Sequence, residues 1–417
     1  MVGWLSLGQL ISWGSVFYGF ALIMEPVERD LGLTRAQSSL AFSLAMLAEG
    51  AGAWTTGRWI DRGHERAVMT GGSVLVGLCM AAHGLVQGLV GFCAVWIGLG
   101  LAMAGTLYTP AFAIVTRRFP HDFRRAIITL TFLGGLASTA FIPLIAWLVR
   151  DFGWRHAVWA IAVLHLVVCV PLHWKVLSPH ARRSVSALPP EGASPALGRS
   201  GGGRLRHAES TPLSQHLRSA PFLLVAVFAL LLMGVTAALP PHMVSLLREA
   251  GLSEAWAIAV PASIGVVQVF GRLLLYFFEH RFDLHLANRL IPCLIPLGIG
   301  ALLVGHGHAP AALLFVLLYG MGNGMLTIVK GTAIAQYVSR EHVATLNGAM
   351  GLPNAIARAV APLMLGVLWS RESGYSAGLW VLMAASVVAV AALIGAQRIS
   401  LRNQAAPAPT PEATSAK

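Results

Sequence analysis

Charged side chains are scarce in this sequence: Asp, Glu, Lys and Arg together make up 11% of its 417 residues, against about 25% in an average soluble chain. With 56% hydrophobic residues and a mean hydropathy of +0.70, that scarcity excludes an ordinary soluble globular fold. Acids are scarcer still, 17 against 29 Lys and Arg, for a formal charge of +12. The basic excess lies in turns between apolar runs rather than in one patch, which argues against nucleic acid and for membrane-proximal loops. There are only four cysteines, Cys79, Cys93, Cys169 and Cys293, each alone in an apolar segment. They form neither a disulfide framework nor a metal-ligand spacing and are read as packing residues. No Gly-Lys-Ser/Thr phosphate cradle is present, so ATP drive is not indicated and no cofactor is expected. The first apolar run has no charged leader or small-residue cleavage site and is expected to be a retained span.

What is present is a succession of apolar runs interrupted once. Ser178 to Ser219 is rich in Pro, Gly and Ser and carries Arg182, Arg183, Arg199, Arg204, Arg206 and Arg218 against Glu191 and Glu209. Such a composition cannot offset the entropy of ordering and predicts a flexible basic linker. Each flank has room for six spans of roughly 20 apolar residues. Expected spans in the first half are 4–24, 37–60, 68–88 and 91–116, a fifth ending at Arg150 and a sixth to 177. Those in the second are 220–247, 254–277, 287–305, 310–337, 344–369 and 375–396. The halves resemble each other: the run from Gly98 and the run from Gly320 superpose two glycines at an offset of 222, with Tyr108 opposite Lys330.

Four formally charged residues fall inside spans. Glu49 lies 12 residues before Asp61, about 18 Å along a helix and so near the bilayer midplane. Intramembrane acids are costly and functional by default; Glu49 either carries a coupled proton or is held ionised by a basic partner. Arg272, Lys330 and Arg358 are the basic three. Asn347, Gly351, Asn354 and Arg358 recur at helical spacing, which predicts a polar face on a water-filled cavity. Lys330 either lines that cavity or snorkels to the surface. His83, His165 and His173 are read as packing residues; His242, beside the Pro240-Pro241 break, is a candidate for the transport path.

The turn after the second span, Gly57-Arg58-Trp59-Ile60-Asp61-Arg62-Gly63-His64-Glu65-Arg66, resembles the loop motif of the major facilitator superfamily. Gly57 would permit close packing, Asp61 would meet a helix N-terminus or a neighbouring Arg, and Arg62 and Arg66 would anchor to headgroups. The succession Tyr108-Thr109-Pro110, the Arg pairs at 117–118 and 124–125, Gly134-Gly135, Pro143 and Gly153-Trp154-Arg155 is similar to the monocarboxylate-porter and oxalate/formate-exchanger side of that superfamily. The resemblance places a substrate-binding Arg at Arg272 and a basic residue at Arg358, where the oxalate exchanger has Lys. The drug/proton antiporters' Gly-Pro pair is missing from the fifth span, and the second-half counterpart of the loop motif near Phe278-Glu279-His280-Arg281 is degenerate.

These readings predict an all-α membrane protein with twelve transmembrane helices in two six-helix bundles. The expected units are an N-terminal bundle 1–177, a linker 178–219, a C-terminal bundle 220–396 and a disordered tail 397–417. Twenty Lys and Arg fall on the side holding both termini and six on the other, which predicts cytoplasmic termini in a plasma membrane, a bacterial inner membrane by preference. The expected function is secondary transport, not enzymatic: alternating access for a small organic anion, coupled to protons or by exchange. Expected substrate-binding residues are Arg272, Arg358, Asn354, Tyr108, Lys330 and His242, with Glu49 for proton coupling. Expected partners are the small-molecule substrate, a proton or counter-substrate and the lipid bilayer, with no metal and no nucleic acid, in a monomer. An efflux pump for a drug-like compound, siderophore or metalloid is the alternative, and the lack of a sizeable soluble domain argues against a receptor or scaffold.

Overall fold

A computed structural model describes residues 1–119, 123–178, 213–278, 284–305, 308–339, 346 and 349–405. Most of the basic linker, the tail from 406, Asn347 and the second-half loop from Glu279 lie outside the described residues. Among the described residues the long elements are all helical, and the one isolated β-bridge joins Ser370 to Gly374.

The first apolar run is longer than expected and is built in three pieces: α1 (Val2–Ser12), a π-helical turn (Trp13–Tyr18) and α2 (Phe20–Leu31). α2 ends on Gly32 at φ 64, a left-handed cap that side chains disfavour. Thr34 then starts α3 (Arg35–Asp61) with a capping box, its hydroxyl accepting from the Gln37 amide at 3.2 Å while Gln37 Oε1 accepts from the Thr34 amide at 2.9 Å. α4 (Glu65–His83) and α5 (Leu89–Thr106) follow.

The fourth span, expected as one helix, breaks at Leu107 (φ −80, ψ −162) before α6 (Tyr108–Arg118). Pro110 explains the break. It has no N–H for the Thr106 carbonyl four residues back, and Gln9 Nε2 from α1 donates to that carbonyl instead, at 2.7 Å. α7 (Phe123–Gly135) and α8 (Ala137–Leu164) come next, the latter interrupted at Gly153 (φ 80), inside the predicted turn. A second π-helical turn (His165–Cys169) leads into α9 (Val170–Val176). The second half contributes α10 (Ala220–Glu249), α11 (Glu254–Phe278), α12 (Leu284–Val304), α13 (Ala309–Tyr337), α14 (Gly351–Val367) and α15 (Ser376–Ala405).

Eight stretches of the described residues are long and apolar enough to cross a membrane, and α14 is a shorter apolar helix. Large apolar side chains such as Val163, Trp256, Leu297 and Val387 are exposed, as lipid contact requires and as a soluble monomer avoids. Inside, Phe20, Phe42, Phe92 and Trp96 pack the first half, and Phe228, Phe315 and Tyr319 the second. Matching helices close up through glycine in both halves: a Cβ on Gly100 of α5 would stand 2.1 Å from the Ala45 carbonyl of α3, and one on Gly324 of α13 2.4 Å from the Gln268 carbonyl of α11. The packing histidines of the first half find hydroxyls, His165 Nε2 with Ser15 Oγ and His173 Nδ1 with Ser73 Oγ, both at 2.8 Å. His83 is fully buried among Phe92, Trp96 and Trp154.

Candidate transport site

The two halves of the chain meet along two seams. On one, α3 packs on α14, and the would-be Cβ of Gly50 lies 3.1 Å from Ala355. On the other, α11 packs on α8: Thr139 Oγ1 donates to the Ala262 carbonyl at 2.6 Å, and a Cβ on Gly265 would stand 2.5 Å from the Gly135 carbonyl. Contacts between the halves continue from mid-depth to the end farthest from the chain termini, called here the distal end. Toward the terminal end, Trp54 and Trp59 of α3 and Leu352 and Ile356 of α14 are exposed.

The intramembrane charges gather at mid-depth. Arg358 Nη2 on α14 donates to Glu49 Oε2 on α3 at 3.0 Å, and Glu49 is 8% exposed. The acid and the base that sequence reading placed in separate spans are thus one ion pair across the halves. Arg358 also approaches the Met46 sulfur at 3.7 Å. Lys330 does not snorkel. Its ammonium points to the thioether of Met233 on α10 at 3.1 Å, and it lies within the electrostatic reach of Arg358. A thioether is a weak acceptor, so this cation is poorly compensated. Asn354, one turn before Arg358, has a buried Oδ1 with no hydrogen-bond partner among the described residues.

Arg272 bridges the other seam. Its Nε donates to the Gly324 carbonyl at 3.2 Å and its Nη1 to the Thr131 carbonyl of α7 at 3.3 Å. Thr131 is in the last turns of α7, where the helix dipole favours a cation. Tyr108 stacks on Phe112 (5.1 Å, 13°) and tilts against Trp13 (4.9 Å), within reach of the Arg272 charge. His242 is set apart from these groups: fully buried, it has both ring nitrogens engaged at the distal end, with Tyr375 Oη at 3.0 Å and the Pro362 carbonyl at 3.1 Å.

Between the seams is a narrow cavity of about 20 Å³, lined among others by Tyr18, Pro240, Gln268, Tyr319 and Asn323. It draws on both halves, and its polar groups are uncharged, which is why a search for intramembrane charge passed over Tyr18, Tyr319 and Asn323. The available signal was Pro240: lacking an N–H, it frees the Thr236 carbonyl, which accepts from Tyr319 Oη at 3.2 Å. A larger depression of about 430 Å³ lies at the distal surface beside Glu249, Trp369 and Arg371. Its lining comes from the second half alone, away from the mid-depth charges.

At the terminal end, Asp61 is the last residue of α3, Arg62 is exposed and Gly63 takes φ 89. A Cβ on Gly57 would touch nothing within 4 Å. Arg66 lies over the Trp174 ring at 3.4 Å, and Glu65 is paired in a buried contact with Arg118; the side chain of Asp61 lies outside the described residues. Arg118 Nη2 also donates to the Leu177 carbonyl at 3.2 Å.

Two helical halves that enclose ion-paired and polar groups at mid-depth have the build expected of a carrier. The sequence pattern of the Major Facilitator Superfamily matches residues 5–362, and the chain belongs to that family. It is 26% identical over 383 residues to monocarboxylate transporter 13 of Bos taurus, covering 89% of this chain and 82% of that one. Among solved structures it is similar to a bacterial homologue of the human lysosomal transporter Spinster in an inward-facing, unoccupied conformation (19% identical, 98% of each chain, TM-score 0.69). It is also similar to the nucleoside transporter NupG (13% identical, 95% of this chain and 98% of that one, TM-score 0.69). The protein is therefore a multi-pass membrane transporter for a small-molecule substrate, similar in sequence to monocarboxylate porters.

Proposed function

We propose that this transporter carries a small organic anion, monocarboxylate-like in chemistry, by alternating access coupled to a proton or to a counter-anion. The observation that carries this reading is the charge surplus at mid-depth. Arg272, Lys330 and Arg358 stand against the single acid Glu49, and among the described residues Lys330 is matched only by the Met233 thioether. A carboxylate would complete Lys330 and accept from the Arg358 fork. Asn354, Tyr108 and Arg272 would shape the rest of the path, with His242 set back at the distal end. An anion taking Arg358 leaves Glu49 without its partner, so Glu49 can take up a proton as substrate binds. The similarity to monocarboxylate transporter 13 supports the same substrate class.

Counterflow in proteoliposomes tests this with labelled short-chain monocarboxylates and neutral and cationic controls. Saturable exchange of the carboxylates is expected. Lys330→Met should weaken their binding about ten- to hundredfold, the loss of one charge-assisted hydrogen bond of roughly 1.5–3 kcal/mol. Exchange of only the neutral or cationic compounds would overturn the proposal.

A further inference from the structure

The distal end carries a second polar cluster, outside the transport site, that fastens the halves together. Arg35, at the start of α3, is 9% exposed. Its Nε donates to Glu28 Oε2 at 3.0 Å and its Nη2 to Glu25 Oε1 at 3.5 Å, both on α2. Across the halves its Nη1 donates to Tyr375 Oη at 2.5 Å, and its guanidinium lies 4.9 Å from the Trp369 ring. From the other side Arg248 of α10 pairs with Glu25, and with Glu254 at 2.8 Å. His242 is the innermost member, in contact with α3, α14 and Tyr375.

The proton positions in this cluster follow from chemistry. The Pro362 carbonyl can only accept, so His242 Nε2 carries a hydrogen and donates to it at 3.1 Å. Ser39 Oγ, 3.4 Å from the same nitrogen, already spends its own hydrogen on the Arg35 carbonyl at 2.7 Å. Tyr375 Oη accepts from Arg35, which leaves its hydrogen for His242 Nδ1 at 3.0 Å. Nδ1 must then be a bare acceptor. Every bond in the run from Arg35 through Tyr375 and His242 to Pro362, and every hydrogen in it, is matched by a neutral imidazole with its hydrogen on Nε2.

A protonated imidazole reverses that run at its centre: Nδ1–H would donate to Tyr375 Oη, whose own hydrogen would lose its acceptor. The new charge would be fully buried and would lie near Arg35. Among the described residues each nearby carboxylate already has a donor of its own, and none touches the ring. Glu28 is engaged by Arg35 and Ser38, Glu25 by Arg35 and Arg248, Glu254 by Arg248, and Glu249 by the Trp369 indole at 2.7 Å. His242 thus lies at the junction of α3 of the first half with α14 and Tyr375 of the second.

We propose that His242 is a proton-binding site that releases this latch: the distal end is held shut while the ring is neutral and parts when it is protonated. The proposal is independent of the substrate reading, because it is read out as a distance with no substrate present. Spin labels at Arg29→Cys and Glu372→Cys, in full-length protein in nanodiscs with the four native cysteines replaced, report the separation of the halves at this end. Between about pH 8 and about pH 5, where an imidazole open to water changes charge, the ring of the parted end gains its proton and the long-distance population is expected to rise several-fold. His242→Asn keeps hydrogen-bonding groups but cannot gain the proton, and its distribution should stay short and flat with pH. An unchanged wild-type distribution, or a His242→Asn response equal to wild type, would overturn the proposal. Tyr375→Phe offers a second reading should the asparagine variant not fold. It leaves Nδ1 without a donor and should show the long distance already at about pH 8, and a distribution matching wild type at every pH would count against the latch.

Discussion

At the residue scale, the pair Glu49–Arg358 shows what a single sequence can disclose. Both residues are charges in apolar runs, so depth alone marks them as functional, and the structure brings them within 3.0 Å. Their roles separate by substitution. Arg358→Lys replaces a planar fork by a point ammonium that cannot reproduce a two-pronged contact with a carboxylate, so it should depress transport far more than the same change at exposed Arg62. Glu49→Gln keeps an acceptor for Arg358 while removing the titratable group. It is expected to preserve exchange but abolish proton-driven accumulation, and uphill uptake at the wild-type rate in a pH-jump assay would remove Glu49 from coupling. Arg35 is the opposite case. In sequence it is an ordinary basic residue of a polar turn, yet it is nearly as buried as Glu49, and its partner Tyr375 is 340 residues away. No local pattern holds information of that range, and His242, with contacts 120 to 203 residues off, was legible as a candidate but not in its surroundings.

At the element scale, the positions of the helices were legible and their interruptions only partly so. Apolar run length sets where a span must be, but the breaks depend on single residues: Pro110 for Leu107, and Gly153 for the kink in α8. The π-helical turns at Trp13–Tyr18 and His165–Cys169, which face each other through Ser15 and His165, had no sequence signal. Glycine tells the same story in energetic terms. Gly100 and Gly71 look alike in sequence, both mid-helix. A Cβ at Gly100 would collide with the Ala45 backbone, whereas one at Gly71 meets nothing within 4 Å. Gly100→Val should therefore cost at least the roughly 1–3 kcal/mol of overpacking, because backbone cannot yield as a side chain can. Gly71→Ala should be neutral or stabilising by about 0.5–1 kcal/mol through helix propensity. Thermal unfolding of the two purified variants checks the pair, and equal melting temperatures would contradict the close approach of α3 and α5.

At the scale of the whole molecule, the fold leaves the direction across the bilayer open, and charge must supply it. The described helices put the N-terminus, the α3–α4 turn and the last turn of α15 at one end, and the Gly32, Gly251 and Gly374 turns at the other. Lys and Arg beside spans are retained on the cytoplasmic side during insertion, whereas acids contribute little. Part of the bias is structural as well as topogenic: Arg118 is bound to Glu65 and Arg66 stacks on Trp174, so these residues cannot be exchanged for acids without cost to the fold. The distal end has few basic residues, and Arg35, Arg155 and Arg248 there are neutralised by Glu28, Asp30 and Glu254. Both termini are therefore expected in the cytoplasm, which would make the latch around Arg35 and His242 the gate toward the outside and the exposed faces of Trp54 and Leu352 the side toward the cell interior. Reporter fusions decide it. Alkaline phosphatase, active only outside, should be silent at Ser200 and at the C-terminus and active near Gly307, with a fluorescent-protein fusion giving the converse. Phosphatase activity at Ser200 would reverse the orientation and place the latch at the cytoplasmic gate.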